Sequence, residues 1–481
     1  MTRLAAEIGK GLAPAREARP IRPLERIHVL GAAGAGASAA VLLAHRAGAL
    51  VSGCDPGGPS PYSAALVEAG IDLDWRHSPE HVLRPDDPAA RPERLAVTKA
   101  LTSIDPDNAE LHAAAELGIA AEPWQQVVAD AAATTGQALL AVAGTHGKST
   151  TTGWLIDLLV RAGRDPSAFV GALLDAHLAG GMPSTARWGS GDVFLVEADE
   201  YAGNFDAYRP HIMVLLNAEW DHPDVFADEE AVFAAFERWI RNAPLEAVLI
   251  ANVADPGVMR IAERLSSDWP GEIVAVDSDA HGLKIGLAGP ANASNALAVV
   301  TAGRVLSVPE SVIRESVAGF KGVGRRLELK GEIGGVVVLD DYGHHPTAIA
   351  RTLQAVRERY PGRPVWAIYE PLTYHRTASM LDRFAEALAT ADHVAIADIW
   401  AGRDPDTTIT SAQALADAVS ARGGPAAVAS GSVEQTADFL AREVRAGDVV
   451  LVMGGGRSYV IAARLVELLG RGEAVRSQAH A

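Results

Sequence analysis

An α/β protein of more than one domain is what this sequence predicts, on three observations. At 481 residues the chain exceeds what a single hydrophobic core covers. Brief apolar runs recur from Ile27 onward: RIHVLG, ALLAVAG, VFLVEAD, IMVLLN, GVVVLDD, PVWAIYEP, HVAIADIW and DVVLVMGGG. Most end in glycine or an acid, as buried parallel strands do. Helix-length segments such as Ser149–Arg161 and Ala378–Ala389 lie between them. This pattern puts ligands at the carboxyl ends of strands.

Composition narrows the class. Apolar residues make up 48% and charged residues 21%, an ordinary globular balance. With 42 Lys+Arg against 60 Asp+Glu the net charge is −18, which argues against nucleic acid as a partner but leaves room for a small basic pocket. The sole cysteine, Cys54, excludes an intramolecular disulfide and any cysteine-cluster metal site. The N-terminus lacks the apolar core of a signal peptide, and no apolar run is long enough to span a bilayer. The expectation is a soluble, cytoplasmic protein with no membrane partner. The first ~20 residues are Pro/Arg-rich and read as a loose extension. Boundaries are expected near Glu122–Pro123 and Lys321–Gly324, giving units 1–123, 124–321 and 322–481.

The stretch AVAGTHGKSTTTGWLIDLL carries the first chemical signal. A strand, a glycine turn and a helix starting near Lys148 would aim the backbone N–H groups of Gly144, Thr145, His146 and Gly147 at one spot, with the helix dipole behind them. Lys148 can then reach phosphates, the Ser149 hydroxyl can bind Mg²⁺, and Thr150 follows in the first turn. The full G-x-x-x-x-G-K-[ST] pattern is not met, because its first position falls on Val142. A bare G-K-S also occurs in ordinary turns, but the strand before it and the helix after it favour a phosphate site.

A second glycine loop, RIHVLGAAGAGASAA, places Gly31, Gly34 and Gly36 between a strand and a helix, and a second strand ends at Asp55. The spacing is G-x-x-G-x-G, not the G-x-G-x-x-G of dehydrogenases, so the loop reads as a cradle for a diphosphate. Glycines that merely let helix and strand pack closely would look the same. Two phosphate loops suggest one nucleotide as energy source and another as a handle on the substrate.

Acidic residues end further strands: Glu197, Asp199 and Glu200 in one, Asn217, Glu219, Asp221 and His222 in the next. Beside a phosphate loop these are positions for Mg²⁺ ligands, because Mg²⁺ takes a few oxygens plus phosphates and water. VVVLDDYGHHPTAI is denser still, with Asp340, Asp341, Tyr342, His344 and His345. Adjacent histidines rarely share one metal, so this cluster reads as positioning and hydrogen bonding to a nucleotide or acyl phosphate. Arg325 and Arg326 could clamp a phosphate with a guanidinium fork.

In chain order stand the glycine loop, G-T-H-G-K-S-T-T, E-A-D-E, N-x-E-x-D-H, N-x-x-N, G-x-x-R-R and D-D-Y-x-H-H-P. This ordered set closely resembles the Mur ligases, over about Ile27 to Leu469. The resemblance implies three domains: a Rossmann-like UDP-binding domain, a central P-loop ATPase and a C-terminal Rossmann-like domain for the amino acid. It implies ATP and Mg²⁺, a UDP-N-acetylmuramate carboxylate activated as an acyl phosphate, and attack by an L-amino acid, L-alanine foremost, in peptidoglycan precursor synthesis. The acting species would be a monomer or homodimer. By the same resemblance Lys148 holds phosphates, and Ser149, Glu197 and His222 form the metal site. Asn292 and Asn295 lie on the adenine side, while Arg326, Asp341 and His345 serve nucleotide and acyl phosphate. Gly31, Gly34, Gly36, Asp55, His77 and Thr102 fall at or near UDP-sugar contacts, and His344 and Arg376 belong with the substrates.

The sequence departs from the family pattern in places. GAAGAGAS replaces G-I-G-G-I-G-M-S, Ala291 replaces a histidine, and Tyr201-Ala202 replaces a Ser-Asp pair. YEPLTYHRT stands where alanine-adding members read F-Q-P-H-x-Y-S-R-T, so Leu372 and Thr373 precede Tyr374 and Arg376 is left to meet a carboxylate. Parts of the sequence, NAEWDHPDVF among them, also resemble a member that recycles a murein tripeptide, and a different amine or acid is a third option. From other classes, a nicotinamide dehydrogenase would leave Lys148, Glu197 and His222 without a role. A non-catalytic nucleotide-binding module would leave the Asp341–His345 cluster without one.

Overall fold

The computed structural model describes residues 5–276, 282–402, 404, 406–424 and 426–479. These fall into two compact units, one of residues 1–286 and 294–323, the other of 287–293 and 324–481. Among the described residues the strands form three sheets, two in the first unit and one in the second.

The first sheet contains β1 (Arg26–Leu30), β2 (Leu50–Cys54), β3 (Asp72–Asp74), β4 (Arg94–Val97) and β5 (Ala120–Pro123), in the order β3-β2-β1-β4-β5. All its pairings are parallel. Because β1 is central, its last residue Leu30 lies between Cys54 and Val97, so the Gly31 loop emerges with Asp55 on one side and Thr98 on the other.

The second sheet contains β6 (Ala138–Ala143), β7 (Ser167–Leu174), β8 (Ser184–Arg187), β9 (Val193–Ala198), β10 (Ile212–Leu215), β11 (Val248–Ala251) and β12 (Glu272–Ala275). The order β12-β11-β10-β6-β9-β7-β8 puts β6 between β10 and β9. Ala143 pairs with both Leu215 and Ala198, so the G-T-H-G-K-S turn and both acidic strand ends open at one sheet edge. This is the reversal point where doubly wound sheets bind ligands. Only β7–β8 is antiparallel here.

In the second unit, β13 (Glu328–Ile333), β14 (Val336–Asp341), β15 (Val365–Glu370), β16 (His393–Ala397), β17 (Ala427–Gly431) and β18 (Val449–Gly454) run in the order β13-β14-β18-β15-β16-β17. Asp341 and Tyr369 both align with Met453 of β18, bringing the Asp341–His345 and Glu370–Arg376 segments to the same end.

Two sequence expectations are corrected. The N-terminal extension is packed, not loose: Ile8 is fully buried, and Arg16 bridges Asp130 and Glu122. Arg16 finds buried acids far along the chain and Arg19 the buried Glu25, and such charge-assisted pairing fixes an otherwise irregular segment. The expected helix over Ala378–Ala389 is two pieces, Tyr374–Ser379 and Leu381–Leu388, broken where Met380 leaves helical geometry. Among the described residues no helix is long and apolar enough to cross a membrane.

Candidate functional site

At the end of β6 the chain turns through Gly144 (φ +138°) and Gly147 (φ +83°), backbone that favours glycine. Gly147 ends the turn, and the helix Lys148–Arg161 starts from it with no side-chain cap, so its first N–H groups face the loop. Asn217, from the end of β10, holds the loop open. Its Oδ1 accepts from His146 N at 2.7 Å and its Nδ2 donates to the His146 carbonyl at 3.0 Å. Thr145 and Glu219 exchange backbone and hydroxyl hydrogen bonds beside it. Asn295 packs so closely on Gly147 that a Cβ there would lie 2.6 Å from its Oδ1. Thr150 is buried in the first helical turn.

Lys148 Nζ donates to the Gly144 carbonyl at 2.6 Å and to Glu200 Oε2 at 3.1 Å, with Asp199 at 3.9 Å. Burial opposes the ammonium charge, but Glu200, Asp199 and Glu197 together hold its pKa above the ordinary value. Burial pushes the Glu200 carboxyl up to about 7 against the pull of Lys148, and Asp199 adds to the push. Three carboxylates thus face one ammonium, a surplus of hard oxygen donors that fits Mg²⁺.

The Ser149 hydroxyl donates to Glu197 Oε1 at 3.0 Å. His222 instead gathers with Asp199 and Glu200, their ligand atoms all within 4.8 Å of one another. The expected metal residues therefore divide between two groups joined through Lys148. His222 sits at φ +53°, unusual for a non-glycine residue. Its ring lies 4.9 Å from Tyr201, whose hydroxyl donates to Asp224 at 3.1 Å. The sequence placed Glu200 and Asn217 among the strand-end candidates for Mg²⁺ but not as partners of Lys148 and His146, and it assigned no role to Tyr201 or Asp224. The first two lay inside the quoted motifs, whereas Tyr201 was noted only as a departure.

In the first sheet, Asp55 Oδ2 accepts from Ala33 N at 3.0 Å, so this acid braces the glycine loop itself. Gly31 has φ +81°, as the turn requires, but Gly36 serves packing: a Cβ there would lie 2.2 Å from Trp124. Gly34 lies between them, at the N-terminus of the helix Ala35–Arg46. His77 Nδ1 contacts Glu110 at 3.1 Å and Cys54 Sγ at 3.3 Å. Thr102 is buried, its hydroxyl donating to the carbonyls of Ile8 and Lys99.

In the second unit Arg325 is internal, bonded to Asp340, Gly454 and Ser458, whereas Arg326 lies over the Tyr342 ring at 4.8 Å. Asp341 accepts from Leu327 N and Gly343 N. His344 Nδ1 lies 3.0 Å from the Tyr342 carbonyl, and buried His345 caps the helix Pro346–Arg359. Arg376 is almost wholly buried on the helix Tyr374–Ser379, which Thr373 caps at φ +66°. Asn292 donates to the Ala288 carbonyl at 2.7 Å.

Comparison with known proteins follows the same layout. Residues 26–135 match a family model described as Mur ligase family, catalytic domain; 142–274 match the Mur ligase middle domain; and 325–456 match Mur ligase, glutamate ligase domain. A UDP-N-acetylmuramate–L-alanine ligase of Kineococcus radiotolerans is 36% identical over 93% of this chain and 96% of its own. The same-named protein of Alkaliphilus metalliredigens is 33% identical over 92% and 97%. Among solved structures, the UDP-N-acetylmuramate–alanine ligase of Thermotoga maritima superposes with TM-score 0.74 at 23% identity, covering 95% of this chain and 100% of that one. A murein peptide ligase of Psychrobacter arcticus gives 0.70 at 24%, covering 93% and 99%. Both structural likenesses concern the fold.

Proposed function

This chain belongs to the Mur ligase family, and we propose that it joins L-alanine to the carboxylate of UDP-N-acetylmuramate with ATP, releasing ADP and phosphate. The observation that carries this reading is the β6 turn. An ammonium set among Glu197, Asp199 and Glu200, beside a helix start without a side-chain cap, is a site for phosphates and a divalent cation. The curated relatives named for L-alanine favour that amine over a tripeptide.

In this reading Lys148 and the N–H groups at the start of its helix hold the ATP phosphates, while the N–H groups of Thr145 and His146, expected to join them, are instead taken by Asn217. The sugar carboxylate attacks the γ-phosphorus and ADP leaves. The amine then attacks the acyl carbon, phosphate departs and the amide remains. Mg²⁺ held by Ser149 and Glu197, with His222 in the adjoining Asp199–Glu200 group, would neutralise charge on the phosphoryl oxygens. Asn292 and Asn295 serve the adenine side, and Arg326, Asp341 and His345 the nucleotide and acyl phosphate. The Gly31–Gly36 loop, braced by Asp55, seats the UDP diphosphate, His77 stands near the sugar, and His344 and Arg376 orient the amino acid. ATP and a nucleotide sugar as substrates put this work in the cytoplasm.

The test is ADP release with ATP, Mg²⁺ and UDP-N-acetylmuramate, adding L-alanine, L-serine, glycine or the murein tripeptide in turn. Turnover led by L-alanine supports the reading, and turnover led by the tripeptide replaces it with recycling. Silence with every amine would mean that YEPLTYHRT selects a different substrate.

A further inference from the structure

A second polar cluster lies under the first sheet, away from the β6 turn. His28 on β1, Cys54 at the end of β2, His81 on the short helix Glu80–Leu83 and Glu110 on the helix Ala109–Glu116 converge so that one ligand atom from each lies within 4.8 Å of the others. His28 Nε2 is 3.1 Å from Glu110 Oε2, His81 Nδ1 is 3.3 Å from Glu110 Oε1, and Cys54 Sγ is 3.3 Å from Glu110 Oε1. His28, Cys54 and Glu110 are at most 1% exposed.

The outer contacts of the histidines decide what this cluster needs. His81 Nε2 lies 3.0 Å from the Asp74 carboxylate, which can only accept, so Nε2 carries the proton. In the neutral ring Nδ1 is then a bare lone pair pointed at another acceptor, Glu110. His28 Nδ1 meets the Ser52 hydroxyl at 2.8 Å, which leaves its buried Nε2 directed at Glu110 Oε2, 3.1 Å away. The Cys54 thiol donates to Glu110 and can give up that proton to a metal, whereas His81 Nδ1 and Glu110 Oε1 are two acceptors 3.3 Å apart that a cation would join.

We propose that His28, Cys54, His81 and Glu110 form a tetrahedral site for a zinc-class divalent cation that ties β1, β2 and two helices of the N-terminal sheet together. Metal–ligand lengths of about 2.0–2.3 Å put ligand atoms about 3.3–3.7 Å apart in a tetrahedron; His28, His81 and Cys54 stand 3.1–3.3 Å from the Glu110 oxygens, and one ligand atom from each of the four lies within 4.8 Å of the others. One sulfur, two imidazoles and one carboxylate suit Zn²⁺ or Co²⁺ rather than Mg²⁺ or Ca²⁺. Asp74 and Ser52 are the outer partners that such histidines normally have. His77, partly exposed and 3.3 Å from Cys54 Sγ, stands at the edge where an ion would enter. The site is separate from the proposed Mg²⁺ site and does not depend on the ligase reading.

Co²⁺ titration of the full chain tests it, because Cys54 is the only cysteine and only a Cys54 thiolate can give a sulfur-to-cobalt charge-transfer band. The expected result is that band at one equivalent, bleached by Zn²⁺, lost in Cys54→Ser, and retained in Ser149→Ala. Asp74→Asn should weaken Co²⁺ binding about 10–100-fold. Should Cys54→Ser fail to fold, alkylation of Cys54 in the unaltered chain decides: Zn²⁺ is expected to slow it at least tenfold. Absence of the band in folded protein, or equal alkylation with and without Zn²⁺, overturns the site and leaves a protonated histidine as the balancing cation.

Discussion

The Ser149 hydroxyl donates to Glu197 Oε1 at 3.0 Å while the other oxygen of Glu197 accepts from Gly171 N at 2.7 Å. The carboxylate is thus held from both sides before any cation arrives, which limits the reorganisation that binding requires. If this pair holds Mg²⁺, Ser149→Ala and Glu197→Gln should each raise the Mg²⁺ concentration for half-maximal ADP release and lower kcat about 10²–10³-fold. An Mg²⁺ titration of both variants checks this. An unmoved midpoint in Glu197→Gln would remove that residue from the metal.

Lys148→Ala should abolish ATP turnover yet leave UDP-N-acetylmuramate binding within about twofold, because its contacts are to Gly144, Asp199 and Glu200 at the β6 turn. Calorimetric titration with the UDP-sugar, beside an ATPase assay, separates the two effects. Equal loss of both would show that the two nucleotide sites are not distinct.

Asn217→Ala removes the two hydrogen bonds that shape the loop at His146. The expected result is a higher KM for ATP, with a stability loss of about 1–3 kcal/mol for the groups left unpaired. Urea unfolding and ATP kinetics on the same preparation measure both. A normal KM would mean the loop keeps its form without this staple.

Burial alone would raise the Glu25 carboxyl, but Arg19, the Arg22 N–H and Arg94 bring it down to about 2. A carboxyl lowered on folding stabilises above its unfolded value near 4.5 and loses that contribution as pH falls toward 2. Glu25→Gln should therefore be less stable than the parent at pH 7, with the gap closing between pH 5 and pH 2. Urea midpoints across that range check it, and a gap independent of pH would assign the loss to packing.

The strands were legible because buried parallel strands are apolar runs, and ALLAVA, VFLVEA and VVLVMG read as strands and are strands. The chemistry of Lys148 and Ser149 was legible for a similar local reason, a glycine turn between strand and helix. That Glu200 would share a hydrogen bond with Lys148 was not legible, because it depends on β9 lying beside β6, a pairing between segments far apart in sequence. The same applies to Arg16, whose partners Glu122 and Asp130 lie more than a hundred residues on. A Pro/Arg-rich composition carries no sign of them. The His28, Cys54, His81 and Glu110 cluster has no short repeat spacing and is assembled only by sheet order.

Thr102 separates a packing role from a binding one. Its resemblance-based position is near the UDP-sugar, yet its hydroxyl donates to the Ile8 and Lys99 carbonyls and the residue is 1% exposed. Ile8 is itself fully buried, so this contact anchors the N-terminal segment. Thr102→Val keeps the shape and removes the donor. It should cost about 1–3 kcal/mol through the unpaired Ile8 carbonyl and leave the KM for UDP-N-acetylmuramate unchanged. Thermal unfolding and steady-state kinetics together decide. A raised KM at unchanged Tm would return Thr102 to the substrate, with its hydroxyl turning outward when the UDP-sugar binds.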